Sequence, residues 1–211
     1  VTEYLQKWSV SYRDDMLGNI MPFWLKHGLD LRNGGVYTCL DRDGSLIDTT
    51  KSVWFQGRFA FTCSYAYNHI EQNPEWLAAA KSTIDFIEQH CFDSDGRMFF
   101  EVTASGEPLR KRRYVFSETF AAIAMAEYAI ASGEREYAEK ALKLFKDIQR
   151  FLNTPGVLEP KYWNTVQSKG HSIVMILINT ASRIRAAIAD PALDKQIGDS
   201  IALLQKDFMH P

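Results

Sequence analysis

GGVYTCLDRDGSLIDTTKSVWFQGRFAFTCSYAYN, residues Gly34–Asn68, reads like a second stretch of the same chain, GRMFFEVTASGEPLRKRRYVFSETFAAIAMAEYA, residues Gly96–Ala129. Each starts with glycine and runs through a short aromatic and β-branched stretch. Each then turns at a polar pair ending in Gly and enters an apolar helix. Gly35 matches Gly96, Gly44 matches Gly106 and Val53 matches Val115, all at nearly the same offset. A weaker third copy starts at Gly156, at much the same spacing after Gly96, passes through Val157–Lys161 and enters the apolar run His171–Ala181. Fixed spacing of this kind is the signature of a repeat architecture whose units bury their apolar faces against each other.

Working outward, two kinds of helix alternate. Phe116–Ala131 and Ser172–Ala181 are apolar almost all round, as expected of helices buried on every side, and Trp54–Tyr67 is similar apart from Gln56 and Arg58. Between them lie amphipathic helices: Glu75–Gln89, Glu134–Leu152 and Pro191–Met209. In the second of these, Tyr137, Ala141, Leu144, Phe145, Ile148 and Phe151–Leu152 form an apolar stripe opposite Glu136, Lys140, Lys143 and Asp147. Thr2 to about His27 is a further amphipathic helix that Pro22 must kink or end. Val36–Leu40, the DRDG turn Asp41–Gly44 and Ser45–Asp48 form a small β-hairpin, repeated by Met98–Thr103, an Ala-Ser-Gly turn and Glu107–Leu109. Wholly buried helices alternating with half-buried ones predict an inner and an outer ring. The expected fold is an all-α, α/α toroid with short hairpins on one rim, those hairpins delivering the chain to the inner helices' N-termini. Free N–H groups there suit a polyhydroxyl or anionic ligand. Residues 1–211 read as part of one such domain, with no linker and no second domain.

The composition excludes several classes. With 24 basic and 26 acidic residues the formal charge is −2, which lacks the basic excess of a nucleic-acid surface. No apolar run reaches the length of about 20 residues that a membrane span needs, and the N-terminus has no signal-peptide apolar core. Cys39, Cys63 and Cys91 contain no CxxC pair; a disulfide framework is not expected, and a cytoplasmic, reducing setting is the simplest. No metal-ligand spacing and no cofactor motif is present. DRDG begins like a calcium loop, but with Asp41 as its first position the twelfth is Ser52, not an acid.

Position singles out the chemistry-bearing residues. Trp54, Phe55, Gln56 and Arg58 start the first inner helix, Phe116, Ser117 and Glu118 the second, and His171 and Ser172 the third, with Tyr37 and Asp41 on the same rim. Arg58, amid the apolar run WFQGRFAF, needs a partner: a structural ion pair to Asp48 or Glu118, or a substrate oxygen. Trp54 and Tyr37 are either a stacking platform for a sugar ring or core aromatics. Glu118 is either a helix cap or a pocket acid. His171 is either structural or a proton-transfer group. His27, His69, His90 and His210 read as bland, and Arg110–Arg113 as a solvated rim. A glycoside hydrolase would need two carboxylates across the pocket, for which only Glu118 and Asp41 are placed.

The run from Pro22 to Phe61, with PFWLKHGLD, NGGVYTCLDRDG, D-T-T-K and W-F-Q-G-R, resembles the N-terminal signature of the N-acylglucosamine 2-epimerase family. The resemblance implies an (α/α)6 barrel and epimerisation or isomerisation of unactivated sugars by proton removal beside a carbonyl. It implies Arg58 as the residue that orients the open-chain sugar, with Tyr37, Trp54 and Glu118 lining the pocket and His171 on a segment that varies among subgroups. The family's two catalytic histidines lie in motifs of the barrel's second half, absent from this sequence. Six repeats of about 61 residues would need on the order of 370, so the chain reads as about the first half of the ring. The expected ligand is a small-molecule sugar, with no nucleic acid, no membrane and no cofactor. Open inner helices in a half-ring favour dimerisation, as a homodimer, or insolubility. A non-catalytic sugar-binding or interaction module is the alternative.

Overall fold

A computed structural model describes residues 2–160 and 168–209. The N-terminal helix α1 (Thr2–Asp15) passes through a π-helical turn, Met16–Ile20, into α2 (Met21–His27). Pro22 therefore neither ends nor breaks the helix. It sits in the first turn of α2, where its missing N–H is not needed, and the wider π turn absorbs the change in pairing.

Hairpin one is β1 (Cys39–Leu40) with β2 (Leu46–Asp48). Then come β3 (Lys51–Ser52), α3 (Val53–His69) and α4 (Pro74–His90). Hairpin two is β4 (Phe99–Val102) with β5 (Pro108–Lys111), followed by α5 (Phe116–Ser132), α6 (Arg135–Asn153), α7 (Ser172–Ala187) and α8 (Pro191–Phe208). Within α4 and α8 the chemistry of the start is plain: Asn73 and Asp190 cap the N–H groups of Glu75 and Ala192, each just ahead of a proline at the first turn. Gly133 at φ +76° ends α5 in the left-handed conformation.

The two-layer arrangement follows. α3, α5 and α7 are neighbours in the inner layer, and α4, α6 and α8 cover them from outside. Every residue from Ser117 to Ala129 of α5 is buried, small alanines letting the flanking helices approach. The α6 stripe packs inward through Tyr137, Ala141, Leu144, Phe145, Ile148 and Phe151. Each large apolar side chain there contributes about 1.5–3 kcal/mol relative to leaving it in water. The described helices thus form an arc of an α/α toroid, with the hairpins at one rim.

Two of these expectations are corrected. First, α7 is not buried on every side: Leu177, Thr180, Ala181 and Ile184 are buried, whereas His171, Met175 and Asn179 are exposed, because α7 has an inner neighbour on one side only among the described residues. Second, the repeat register pairs Gly34, not Gly35, with Gly96. Gly34 donates to Asp30 O at φ +79°, and Gly96 donates to Asp93 O at φ +82°. Beyond these, β3 pairs with β4 through Lys51–Val102 and Ser52–Glu101, so the strand that follows hairpin one joins hairpin two in a three-stranded sheet across two repeats, while β1–β2 stays a sheet of its own. In the third copy a turn spans Pro155–Val157 and Glu159 has no regular structure; Lys161 lies outside the described residues, as does His210.

Candidate functional site

The start of α3 is held by Gln56, fully buried, whose amide pairs both ways with the Val36 backbone: Val36 N–H donates to Oε1 at 2.8 Å and Nε2 donates to Val36 O at 2.7 Å. That clamp sets the strand entering hairpin one against α3. Beside it opens a cavity of about 400 Å³ whose walls come from α2 (Met21, Trp24), the hairpin entry (Tyr37, Thr38) and α3 (Phe55, Arg58). A larger cleft, about 730 Å³, lies between α2 and α4 on the outer layer, walled by Leu25 and Trp76. It contains no residue from an inner-helix start, so the smaller cavity is the candidate site.

Arg58 dominates its chemistry. The guanidinium is exposed and lies over the Phe120 ring, 4.3 Å from its centroid, and farther from Phe55 at 5.7 Å. It forms no ion pair among the described residues, with neither Asp48 nor Glu118. Lying over an aromatic ring, with no side-chain partner among the described residues, it keeps its N–H groups available to a ligand oxygen. Tyr37 is the second polar group. Burial first, with the negative charge of nearby Asp30 adding to it, pushes its phenol above the ordinary pKa, so it is a neutral hydrogen-bonding group. Trp24, Phe55 and Phe59 supply apolar wall against which the C–H face of a sugar ring can pack. Among the described residues, no carboxylate or imidazole lines this cavity.

The other expected site residues lie elsewhere. Trp54 meets Phe100, Phe116 and Phe120 edge-on at 5.2–5.8 Å, sharing Phe120 with Arg58 but not lining the cavity. Glu118 is sealed: fully buried, it accepts from Arg97 Nε at 2.6 Å and from Met98 N–H at 3.0 Å. It is the counterpart of Gln56, clamping hairpin two to α5, and that packing leaves it no open face for a ligand. Asp41 sits exposed in the turn of hairpin one, so the two carboxylates required for a hydrolase are not presented together to this cavity. His171 caps α7 with its ring 5.8 Å from Phe208, exposed and away from the cavity walls. Among the basic run, Arg110 faces Glu101, Lys111 binds Asp93 and Asp95, and Arg112 stacks on Phe100, a partnered rim.

Sequence reasoning missed Trp24. Its signal was available, since Pro22-Phe23-Trp24 sits one repeat before helix α4, but a single aromatic near a chain bend does not announce which way it points. It also treated His27 and His90 as bland. Each is the seat of a hairpin: a Cβ at Gly44 would collide with the His27 ring, and one at Gly106 with the His90 ring.

The geometry has counterparts among known proteins. N-acylglucosamine 2-epimerase of Bos taurus is 30% identical over 190 residues, which cover 87% of this chain and 45% of that protein. Cellobiose 2-epimerase of Ruminococcus albus is 31% identical over 141 residues, covering 65% of this chain and 36% of that protein. The solved cellobiose 2-epimerase of Bacillus thermoamylovorans B4167 superposes with a TM-score of 0.86 at 20% identity, over 97% of this chain and 57% of that one, and so shares the fold. The chain spans about half the length of the curated relatives it matches. The family described as N-acylglucosamine 2-epimerase matches residues 35–203, a range that takes in both hairpins, all three inner helices and Arg58. By that match, on a ring of paired helices with hairpins at one rim, the chain belongs to the N-acylglucosamine 2-epimerase family.

Proposed function

We propose that this chain is the N-terminal half of a single-domain carbohydrate epimerase or isomerase that removes and returns the proton on the carbon next to the carbonyl of an open-chain sugar. The observation that carries the reading is the exposed Arg58 guanidinium, stacked on Phe120 and free of any carboxylate partner among the described residues, at the mouth of a cavity walled by aromatics. When the C–H proton leaves, the electron pair moves onto the carbonyl oxygen and makes an enediolate. A fixed cation beside that oxygen stabilises the charge as it develops, and loss of one such donor typically costs about 10²–10³ in rate. The acid and base that exchange the proton need pKa values near neutrality. The family resemblance assigns them to two histidines of the barrel's second half, in keeping with cavity walls that, among the described residues, hold Tyr37, Thr38 and Arg58 but no titrating acid or imidazole.

Names of relatives supply the ligands to try: N-acetylglucosamine and cellobiose, each titrated into the chain with tryptophan fluorescence and calorimetry as readouts. Arg58→Ala should weaken binding about tenfold or more; unchanged binding by that variant, or no binding by the wild type, overturns the reading. Three free thiols support a cytoplasmic, reducing setting, two of them, Cys63 and Cys91, pushed up to about 12 by burial and so kept neutral. The exposed apolar side chains of α1 and α7, Tyr4, Leu5 and Met175 among them, support further protein contact, of which a homodimer is one form.

A further inference from the structure

Lys51 is fully buried, a rare state for lysine, which is kept inside only when every donor is matched. Here all three are. Nζ donates to Asp30 Oδ2 at 2.8 Å, to Gly34 O at 2.7 Å and to Ala104 O at 2.8 Å. The Phe86 ring, 4.1 Å away, covers the cation, and the Tyr37 ring lies 5.3 Å from it. These partners come from four places: the connection after α2 (Asp30 and Gly34), the cavity wall (Tyr37), α4 (Phe86) and the turn of hairpin two (Ala104). The Lys51 backbone also belongs to β3, paired with Val102 of hairpin two. Asp30 is committed in turn: Oδ1 accepts from Arg32 and Asn33 N–H, and Oδ2 accepts from the Asn33 amide as well as Lys51.

We propose that Lys51 is a positioning residue for the candidate sugar site: its ammonium, tied to Asp30, to Gly34 and to the turn of hairpin two, lies against the Tyr37 ring and fixes it, so that hairpin two helps set the wall of the cavity beside hairpin one. The claim that this matters for sugar rests on the function proposed above; the claim that Lys51 orders Tyr37 does not. Arginine is not an equivalent, because a planar fork cannot serve three oxygens disposed around a point charge in a sealed seat. A purely structural lysine would stabilise the fold without preference for Tyr37 over the protein's other tyrosines.

The discriminating experiment replaces all tyrosines with 3-fluorotyrosine and assigns the Tyr37 ¹⁹F line by its loss in Tyr37→Phe. Lys51→Met, and Asp30→Asn as the shape-preserving variant should the first fail to fold, should shift, split or broaden the Tyr37 line while leaving the lines of tyrosines remote from the seat in place. An unmoved Tyr37 line, or an equal shift of all lines, overturns the proposal whether or not sugar binds. For a sugar that the wild type binds, Lys51→Met should weaken binding about tenfold, but less than twofold in the Tyr37→Phe background. Equal factors in both backgrounds would mean that Lys51 does not act through Tyr37 and would also overturn it. Absence of sugar binding by the wild type strikes only the proposed function, since the ¹⁹F line decides the positioning claim by itself.

Discussion

Hairpin units one and two solve the same problem with different chemistry. In each, a backbone N–H shortly past the turn glycine donates to a buried side chain near the start of the following inner helix: Val36 to Gln56, and Met98 to Glu118, at equivalent positions of the repeat. In unit one the clamp is neutral, and Gly35 makes room for it; a Cβ there would meet Gln56 Oε1 at 2.6 Å. In unit two that glycine's counterpart is Arg97, whose guanidinium neutralises Glu118 and donates to Tyr114 O and Arg112 O. The amide spends its second half on Val36 O, whereas Glu118 Oε2 has nothing to donate and stays buried without a partner among the described residues. The lesson is that a repeat conserves a hydrogen-bonding seat, not a charge. Arg58 of unit one, whose counterpart in unit two is Phe120, has no ion-pair partner among the described residues, whereas Arg97 of unit two is spent inside its clamp.

The largest expected effect breaks that comparison directly. Gln56→Glu buries a carboxylate where Gly35 offers no counter-charge, and should cost about 3–5 kcal/mol in denaturant unfolding, the range for an uncompensated buried charge. Glu118→Gln should cost a similar amount because it strands Arg97, yet Arg97→Gly combined with Glu118→Gln rebuilds the neutral clamp of unit one. The double variant should therefore be more stable than Glu118→Gln alone; an additive loss would refute the equivalence of the two seats.

Next in size are the hairpin tips. Gly44→Ala and Gly106→Ala each place a side chain at a left-handed backbone angle, +86° and +93°, and against a histidine ring. Each should lose about 1–3 kcal/mol, and pairing Gly44→Ala with His27→Ala should relieve the collision but not the backbone strain. If the histidine substitution restores nothing, the ring is not the hairpin's seat.

The smallest effect concerns the repeat-equivalent acids Asp30 and Asp93. Burial alone would raise the Asp30 pKa, but Lys51 and the donors of Asn33 and Arg32 outweigh it and hold the carboxyl well below the usual carboxylate range. A depressed folded-state pKa gives stability that is present above the unfolded value, about 4, and is lost as pH falls toward the folded value. Acid titration of stability should show on the order of 2 kcal/mol less pH dependence below about pH 4 in Asp30→Asn. Asp93, held down by an exposed Lys111 contact, should contribute much less when changed to Asn. Equal slopes for the two variants would erase the distinction between a buried and a solvated member of the pair.

Much of this was legible in the chain itself. The helix ends read from Phe116, Pro191 and Asn73-Pro74 fall within a residue or two of the observed ones, because capping and proline chemistry act locally. The hairpins were legible from their turns, DRDG and Ala-Ser-Gly. Tyr37 and Arg58 were placed on one rim by position, and the cavity does bring them together. Less was legible where two distant segments must choose each other. Glu118 and Gln56 look like an acid and an amide at helix starts, and only the approach of Val36 and Met98 shows both to be clamps. The sheet joining β3 to β4 was invisible, since a strand as short as Lys51–Ser52 carries no period.

What the sequence determined, then, is the repeat, the alternation of wholly and partly apolar helices, the turns and therefore the ring architecture, because each depends on residues within one repeat unit. What only the tertiary structure decided is which polar side chains face the cavity and which are spent inside. Arg58 remains free while Arg97 does not, Trp24 lines the wall while Trp54 supports it, and Lys51 links two hairpins. Those outcomes depend on contacts between segments far apart along the chain, such as Val36 with Gln56, Arg97 with Glu118 and Lys51 with Ala104. Packing and desolvation across such separations leave no local pattern to read.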